Sequence, residues 1–503
     1  MKRLYSKILL ITGVLVSSLG CTDLEEELFS DVTTDTFFNT EEEFISTLGA
    51  AYTNLYGIAG DGWFILQEVP SDEMIVPQRG ADWFDNGAWA QLHTQQYNSR
   101  TPAMNGGWNL AFQGVNACNR VIETFEEAAD GLAGSEKFIA ELKVLRGFYY
   151  YMLLDTYGNV PIVDRFTVPA DFAPANNTRL EVFEFVETSV KDNLALLDAE
   201  VSLNNYGRLT QWAAHSILAK LYLNAEVYTG TARWQDAITE IDAIINSGQY
   251  SLENNYFANF DTENQDSREN IFAVPYDPQF APGHNVHMRT LHYANQNTYN
   301  LTAQPWNGFC SLQEFYESYE DDDVRKANLI VGPQFNSSGE LMTDPGANNA
   351  PIIFTPEVNQ LAPNARRDAG ARIGKYEFAL GATPDLDNDF PIFRYGDILM
   401  MKAEALFRLG STGGEALALV NQIRERAEVA PVDRLTADLL LAERGREMFA
   451  EAYRRQDLIR FGQYTSPWKF KNSTPDYVTL FPIPFDQLNS NSNLRQNPGY
   501  AAE

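Results

Sequence analysis

The chain is short of several things, and each shortage removes a class of explanation. Three cysteines in 503 residues cannot staple a disulfide scaffold, and two of them, Cys118 and Cys310, read as buried small hydrophobes. Basic residues are scarce, 37 Lys and Arg against 68 Asp and Glu, for a net charge of −31. Such a field repels phosphate backbones and anionic headgroups, so nucleic acid is excluded as a partner and neutral ligands are favoured over sulfated or uronate-rich ones. Among only five histidines there is one close trio, His284, His287 and His292. No H-E-x-x-H, G-x-S-x-G or C-x-x-C occurs, and GARIGK at 370–375 is one residue short of a phosphate loop. The sequence therefore calls for no metal and no cofactor. Strand-like alternation is scarce as well.

What is present begins with a leader. Lys2 and Arg3 precede the apolar run Ile8 to Val16, roughly half the ~20 residues that a membrane helix needs. Ser18, Leu19, Gly20 and Cys21 follow in the form of a bacterial lipobox. We expect a signal peptide over 1–20, lipidation of Cys21, an acidic tether over 21–35 and a folded body over 36–503.

Helical spacing dominates the body. In AELKVLRGFYYYMLLDTY at 140–157, Leu142, Leu145, Tyr149, Met152 and Leu153 share a stripe that Gly158 and Pro161 end, which predicts a deeply buried helix. Trp108, Phe112, Val115 and Asn119 likewise share a helix face, which assigns Trp108 to the core. Two later segments repeat one pattern. AAHSILAKLY at 213–222 precedes Ala237, Ile241 and Ile244, and LMMKAEALFRL at 399–409 precedes Ala416, Val420 and Ile423. Small residues that let paired helices approach are the logic of tetratricopeptide hairpins, and further hairpins are expected at 140–157 and 439–453. The fold class is mainly α, with such helices over about 140–250 and 395–460. In ERGREMFAEAYRRQDLIRFG at 443–462 the arginines alternate with Glu443, Glu447, Glu451 and Asp457, which predicts a structural ion-pair network rather than a basic patch. Asp321, Asp322 and Asp323 read as a solvated acidic turn.

Between the hairpins lie two irregular regions, 57–107 and 276–390, rich in Gly, Pro, Asn and aromatics. Loops this long inside a compact domain usually carry function. Sugars offer apolar C–H faces that stack on rings, and hydroxyl rims that need planar polar partners. The candidate glycan-binding residues are Trp63, Trp83, Phe84, Trp89, Tyr293, Tyr299 and Trp306 for stacking, with Arg79, Asp82 and Asn86 for hydroxyls. Paired carboxylates for glycoside hydrolysis are unreadable from sequence, so a surface glycosidase stands as the alternative from another class.

Beyond these readings, long blocks occur in a known order: WNLAFQGVNACNRVI, AELKVLRGFYYYMLLDTYGNVPIV, GRLTQWAAHSILAKLYL, WQDAITEIDAIINSGQY, EDDDVRK, DFPIFRYGDILMMKAEAL, ALALVNQIRERA, ERGREMFAEAYRRQDLIRFG and LFPIPFDQLNSNSNLRQNPGY. Nearly end to end the chain resembles the SusD/RagB family of Bacteroidota outer-membrane lipoproteins. The resemblance implies a single domain of about four tetratricopeptide-like hairpins with a loop-rich ligand-binding part. It also implies a lipid-anchored lid on the cell surface over a SusC-like TonB-dependent transporter, holding oligosaccharide or polysaccharide without cleaving it. Some relatives carry peptide-like or other cargo, so that alternative stays open beside a neutral glycan such as a glucan.

Overall fold

The computed structural model describes residues 40–128 and 134–501. The expected leader, Cys21 and the tether up to residue 35 lie outside the described residues. Among the described residues, no helix is long and apolar enough to cross a membrane.

Helix α1 (Glu41–Tyr52) starts at a capping box, in which the Thr40 hydroxyl and the Glu43 carboxylate each accept the other residue's N–H. Helices α2 (Pro102–Ala128) and α3 (Ser135–Thr156) pack along each other, and α4 (Arg179–Lys191) lies on another side of α3. The next hairpin is α5 (Gln211–Leu223) with α6 (Trp234–Ser247), which ends at the left-handed Gly248. Its sequence-similar counterpart, α7 (Tyr395–Arg408) with α8 (Gly414–Arg426), packs against it through α6 and α7. Helices α9 (Ala437–Met448) and α10 (Arg454–Arg460) close the array. The mainly α expectation holds, and the two repeat copies are spatial neighbours.

Helix α3 is buried on nearly every side, as its stripe predicts. Three consecutive tyrosines can be interior because each hydroxyl finds a partner. Tyr149 donates to the Ala51 carbonyl at 3.0 Å, Tyr150 to that of Pro161 at 3.3 Å, and Tyr151 accepts from the Gln456 amide at 2.6 Å. Trp108 is buried beside Phe112, and Asn119 accepts from Arg146 at 2.7 Å. Cys118 and Cys310 are buried and unpaired with each other.

Of four two-stranded sheets among the described residues, the longest leaves no alternation in the sequence. Strand β1 (Asn270–Val274) pairs antiparallel with β2 (Phe390–Arg394), and every residue of both is buried. A strand buried on both faces has no polar side to alternate with, so it leaves no period-two signal. The pair has a further consequence: the irregular region 276–390 is an excursion whose two ends are hydrogen-bonded together. The first region is also less irregular than its composition suggests, with short helices at Phe64–Glu68 and Ala88–His93 and the first turn of α2 from Pro102.

The arginine-rich block forms the expected network, and it is buried. Arg325 bonds Asp323 at 2.9 Å, Glu443 at 2.6 Å and Glu447 at 3.1 Å, and Arg394 bonds Glu447 at 2.6 Å and Glu451 at 2.7 Å. Arg444 and Arg460 share Asp457 at 2.9 and 2.6 Å. Burial alone would raise these carboxyls, but the Arg426, Arg394 and Arg325 guanidiniums hold Glu447 well below the usual range. Glu443 is held at about 2 by Arg325 and Arg446 against the same burial. The acidic turn is solvated only at Asp321, which bonds Lys326 at 2.7 Å, and at Asp322; Asp323 is buried, against expectation, because it clamps the buried Arg325. GARIGK holds no phosphate cradle: Lys375 is buried against Glu451, and Arg372 lies in a strand pair.

Candidate functional site

The two irregular regions meet at a turn, residues 79–87. Its foundation is Arg79, only 5% exposed, whose Nε donates to the Asn307 carbonyl at 2.8 Å and Nη2 to that of Ala369 at 2.9 Å, while Nη1 reaches that of Arg366. Gln78 N–H to Leu361 at 2.8 Å and Gly80 N–H to Pro363 at 3.2 Å add backbone ties. One buried guanidinium thus joins the first region to two segments of the second, and burial depresses its pKa. Arg79 was expected to meet sugar hydroxyls. Its donors are committed to backbone carbonyls instead, and it positions the loop.

On this foundation the chain makes a strained turn. Trp83, Asp85, Asn86 and Gly87 have φ of 60°, 38°, 53° and 81°. Left-handed backbone is costly for a bulky residue such as tryptophan and persists only where the surroundings over-determine it. They do so here. The Trp83 Nε1 donates to the Trp306 carbonyl at 2.7 Å, and its ring lies against Gly308, where a Cβ would fall 2.2 Å from the indole. Trp89 meets Trp83 edge to face at 5.4 Å, both rest on the buried Phe309, and the Trp89 Nε1 donates to Asp85 at 2.6 Å.

The surface side of this cluster is an aromatic platform. Trp306 is 38% exposed and Phe84 49%, with Trp83, Trp89 and Tyr293 half-buried. The Tyr293 hydroxyl donates to the exposed Asp82, and Arg367 covers its ring at 4.3 Å. Burial, then the Asp82 carboxylate, push the Tyr293 phenol up to about 12. Asn86 is exposed at the edge. A cleft lies at each end of this chain of contacts. One, of about 340 Å³, is lined by Asp61, Ile65, Trp89, Leu92, Ala103 and Gly106. The other, of about 330 Å³, is lined by His292, Asp344, Ile352, Arg366, Arg367 and Asp368. Asp61 bonds Arg289 at 2.7 Å.

Two expected residues stand apart. Trp63 is 7% exposed and belongs to the core, facing Phe148, Tyr151 and Phe390, so it cannot meet a ligand. It shares an aromatic-rich segment with Trp83, and composition does not tell a ring at the base of a loop from one on its rim. Tyr299 packs edge to face on Phe378 at 5.5 Å in a neighbouring turn and touches none of the platform rings. Sequence reasoning in turn passed over Asp61, Asp85 and the pair Arg366 and Arg367. The two aspartates lie in the same irregular region, 57–107, as Trp83 and Trp89, but nothing in sequence brings residue 367 to residue 293.

The histidine trio does not converge. His284 bonds the Asn388 carbonyl at 3.0 Å, His287 that of Thr383 at 2.8 Å and His292 the Asp344 carboxylate at 3.2 Å. Burial pushes all three down to about 4. Among the described residues, no group of three or more His, Cys, Asp or Glu is placed to hold a metal ion.

Comparison with known proteins adds the following. Residues 382–500 match the model of the SusD family, and residues 25–223 match a model described as starch-binding, associating with outer membrane. The chain is 26% identical over 490 residues to the starch-binding protein SusD of Bacteroides thetaiotaomicron, covering 87% of this chain and 85% of that one. Its fold is that of the surface glycan-binding protein A from Bacteroides thetaiotaomicron in complex with laminarihexaose, with a TM-score of 0.73 and 24% identity over 91% of this chain and 99% of that one. A laminarin-binding SusD-like protein superposes with a TM-score of 0.75 at 21% identity, over 92% and 100% of the two chains.

Proposed function

The chain belongs to the SusD/RagB family, and on that premise we propose that it is a lipid-anchored protein of the cell surface that captures a neutral glycan and passes it to a SusC-like TonB-dependent transporter in the outer membrane. The observation that carries the reading is the partly exposed platform of Trp83, Phe84, Trp89, Tyr293 and Trp306, of which Trp83, Trp89 and Tyr293 are locked in place by side-chain hydrogen bonds. Rings fixed before binding lose little freedom when a sugar stacks on them, so more of the stacking energy appears as affinity. Asp82, Asn86 and Arg367 are the planar polar groups within reach of hydroxyls along the platform edge. The relatives include starch-binding and laminarin-binding proteins, which supports a glucan as cargo.

The carboxylates of the platform are engaged in holding its frame. Asp61 pairs with Arg289, Asp82 with Tyr293 and Asp85 with Trp89. That arrangement suits binding without turnover. Calorimetric titration with starch, laminarin, levan, mannan and a peptide digest, followed by product analysis, tests the reading. Saturable binding of one glycan, uncleaved, and weakened in Trp306→Ala is the expected result. Binding of peptides alone would overturn the glycan assignment, and products would overturn the non-catalytic one.

A further inference from the structure

Away from the platform, a cleft of about 450 Å³ opens between segment 312–318 and the loop that follows α10. Small-ligand sites span about 300–1,000 Å³. Leu312, Phe315 and Trp468 form its apolar part, and Asp72, Glu314 and Lys469 stand around them. Between this cleft and Arg79 lies a layer of core that includes Ile75, Cys310 and Val358, so the two sites are separate.

Folding leaves the polar groups of this cleft with unused capacity. Trp468 lines the cleft half-buried, and its Nε1 has no partner in the protein. Asp72 is held by two bonds from Arg454, at 2.6 and 2.7 Å, yet each oxygen keeps a lone pair and the side chain is 30% exposed. Glu314 and Lys469 are exposed. The indole is itself held in place, with the Lys471 ammonium 3.9 Å from its ring centre.

Two carboxylate acceptors and an ammonium donor beside an apolar wall that includes an indole call for a ligand whose polar groups both donate and accept and whose other face is C–H. A sugar ring has that chemistry. An anionic ligand would face Asp72 and Glu314 across the cleft, and an apolar one would leave these groups unpaired. We propose that this cleft is a second carbohydrate site, taking a neutral oligosaccharide of hexoses independently of the platform.

Photochemical footprinting of the full chain, with and without maltohexaose, laminarihexaose and mannohexaose, tests this at Trp468 and Lys469. The expected result is saturable protection of both by at least one hexaose, persisting in Trp306→Ala. Ala442→Trp, which fills the cleft from α9, should abolish that protection. The double variant Glu314→Ala with Lys469→Ala, both surface residues, should weaken it about tenfold or more, read at Trp468. No protection of Trp468 by any of the hexaoses would overturn the proposal, as would protection unchanged in both variants. Protection at Trp306 without Trp468 would remove the second site and spare the platform, and the reverse pattern would do the opposite.

Discussion

Two regions of this protein invert the usual distribution of residues. The C-terminal hairpins bury charge, with Arg325, Arg394, Arg444, Glu443 and Glu447 almost wholly inside. The loop platform exposes rings, with Phe84 and Trp306 open to water. Both arrangements persist because neighbours determine them completely. A buried charge is tolerable when opposite charges surround it, and a strained, half-buried tryptophan such as Trp83 is tolerable when its ring is bonded and packed in place. The difference lies in what each does. The network pairs its charges internally, although Arg444 Nη1 and Arg426 Nε stay without a partner, whereas the platform leaves one face open to a ligand.

Breaking the network should have the largest effect. Glu447→Ala takes one buried carboxylate from each of Arg325, Arg394 and Arg426 at once, and should lower stability by roughly 3–5 kcal/mol, read as the shift of a denaturant midpoint. If the midpoint stays put, the network is incidental. Acid should attack the same place. Glu443 has a folded pKa of about 2 against an unfolded value of ~4.3. Its contribution, roughly 3 kcal/mol, is therefore fully present above the unfolded value and lost as pH falls through the folded one. A midpoint measured across that range should fall in Glu443's window, and Glu443→Gln should flatten the slope there.

Perturbing the platform should separate binding from stability. Arg79→Met removes the donors for three carbonyls and should cost about 2 kcal/mol of stability together with most ligand affinity, since the strained turn then relaxes. Trp306→Ala should cost about 2 kcal/mol of affinity, some 30-fold, with the melting temperature nearly unchanged. Equal losses of stability in both variants would erase the distinction between clamp and contact. The smallest effect is expected where the network is imperfect. Burial, then the neighbouring Glu68 carboxylate, raise Glu73 well above its ordinary value. Its contribution is present below the unfolded pKa and is lost as pH rises, so Glu73→Gln should stabilise the protein by about 1 kcal/mol at pH 8, measured by thermal unfolding.

Much of the scaffold was legible in advance. The stripe through Leu142 and Tyr149, the repeated hairpins around Ala213 and Ala403, and the interleaved arginines and glutamates of 443–460 all sit at helical spacing. Helical periodicity is local, so the residues that share a face are set by i, i+3 and i+4 alone. The buried strand pair leaves no period-two signal because both of its faces are buried. Site residues were legible as a composition and not as a place. Composition alone groups the platform tryptophans with Trp63, which is core, and reads Arg79 as a contact when it is the clamp.

The sequence by itself determined a mainly helical body, the segments that pair within it and the two aromatic regions able to bind sugar, because each of these is written in spacing or composition along the chain. Only the tertiary structure decided which rings reach the surface, that Arg79 faces inward, and that Arg367 meets Tyr293. Those outcomes depend on contacts between residues some 70 to 290 positions apart, where burial is settled by which loop lies over which, and no local pattern carries that information.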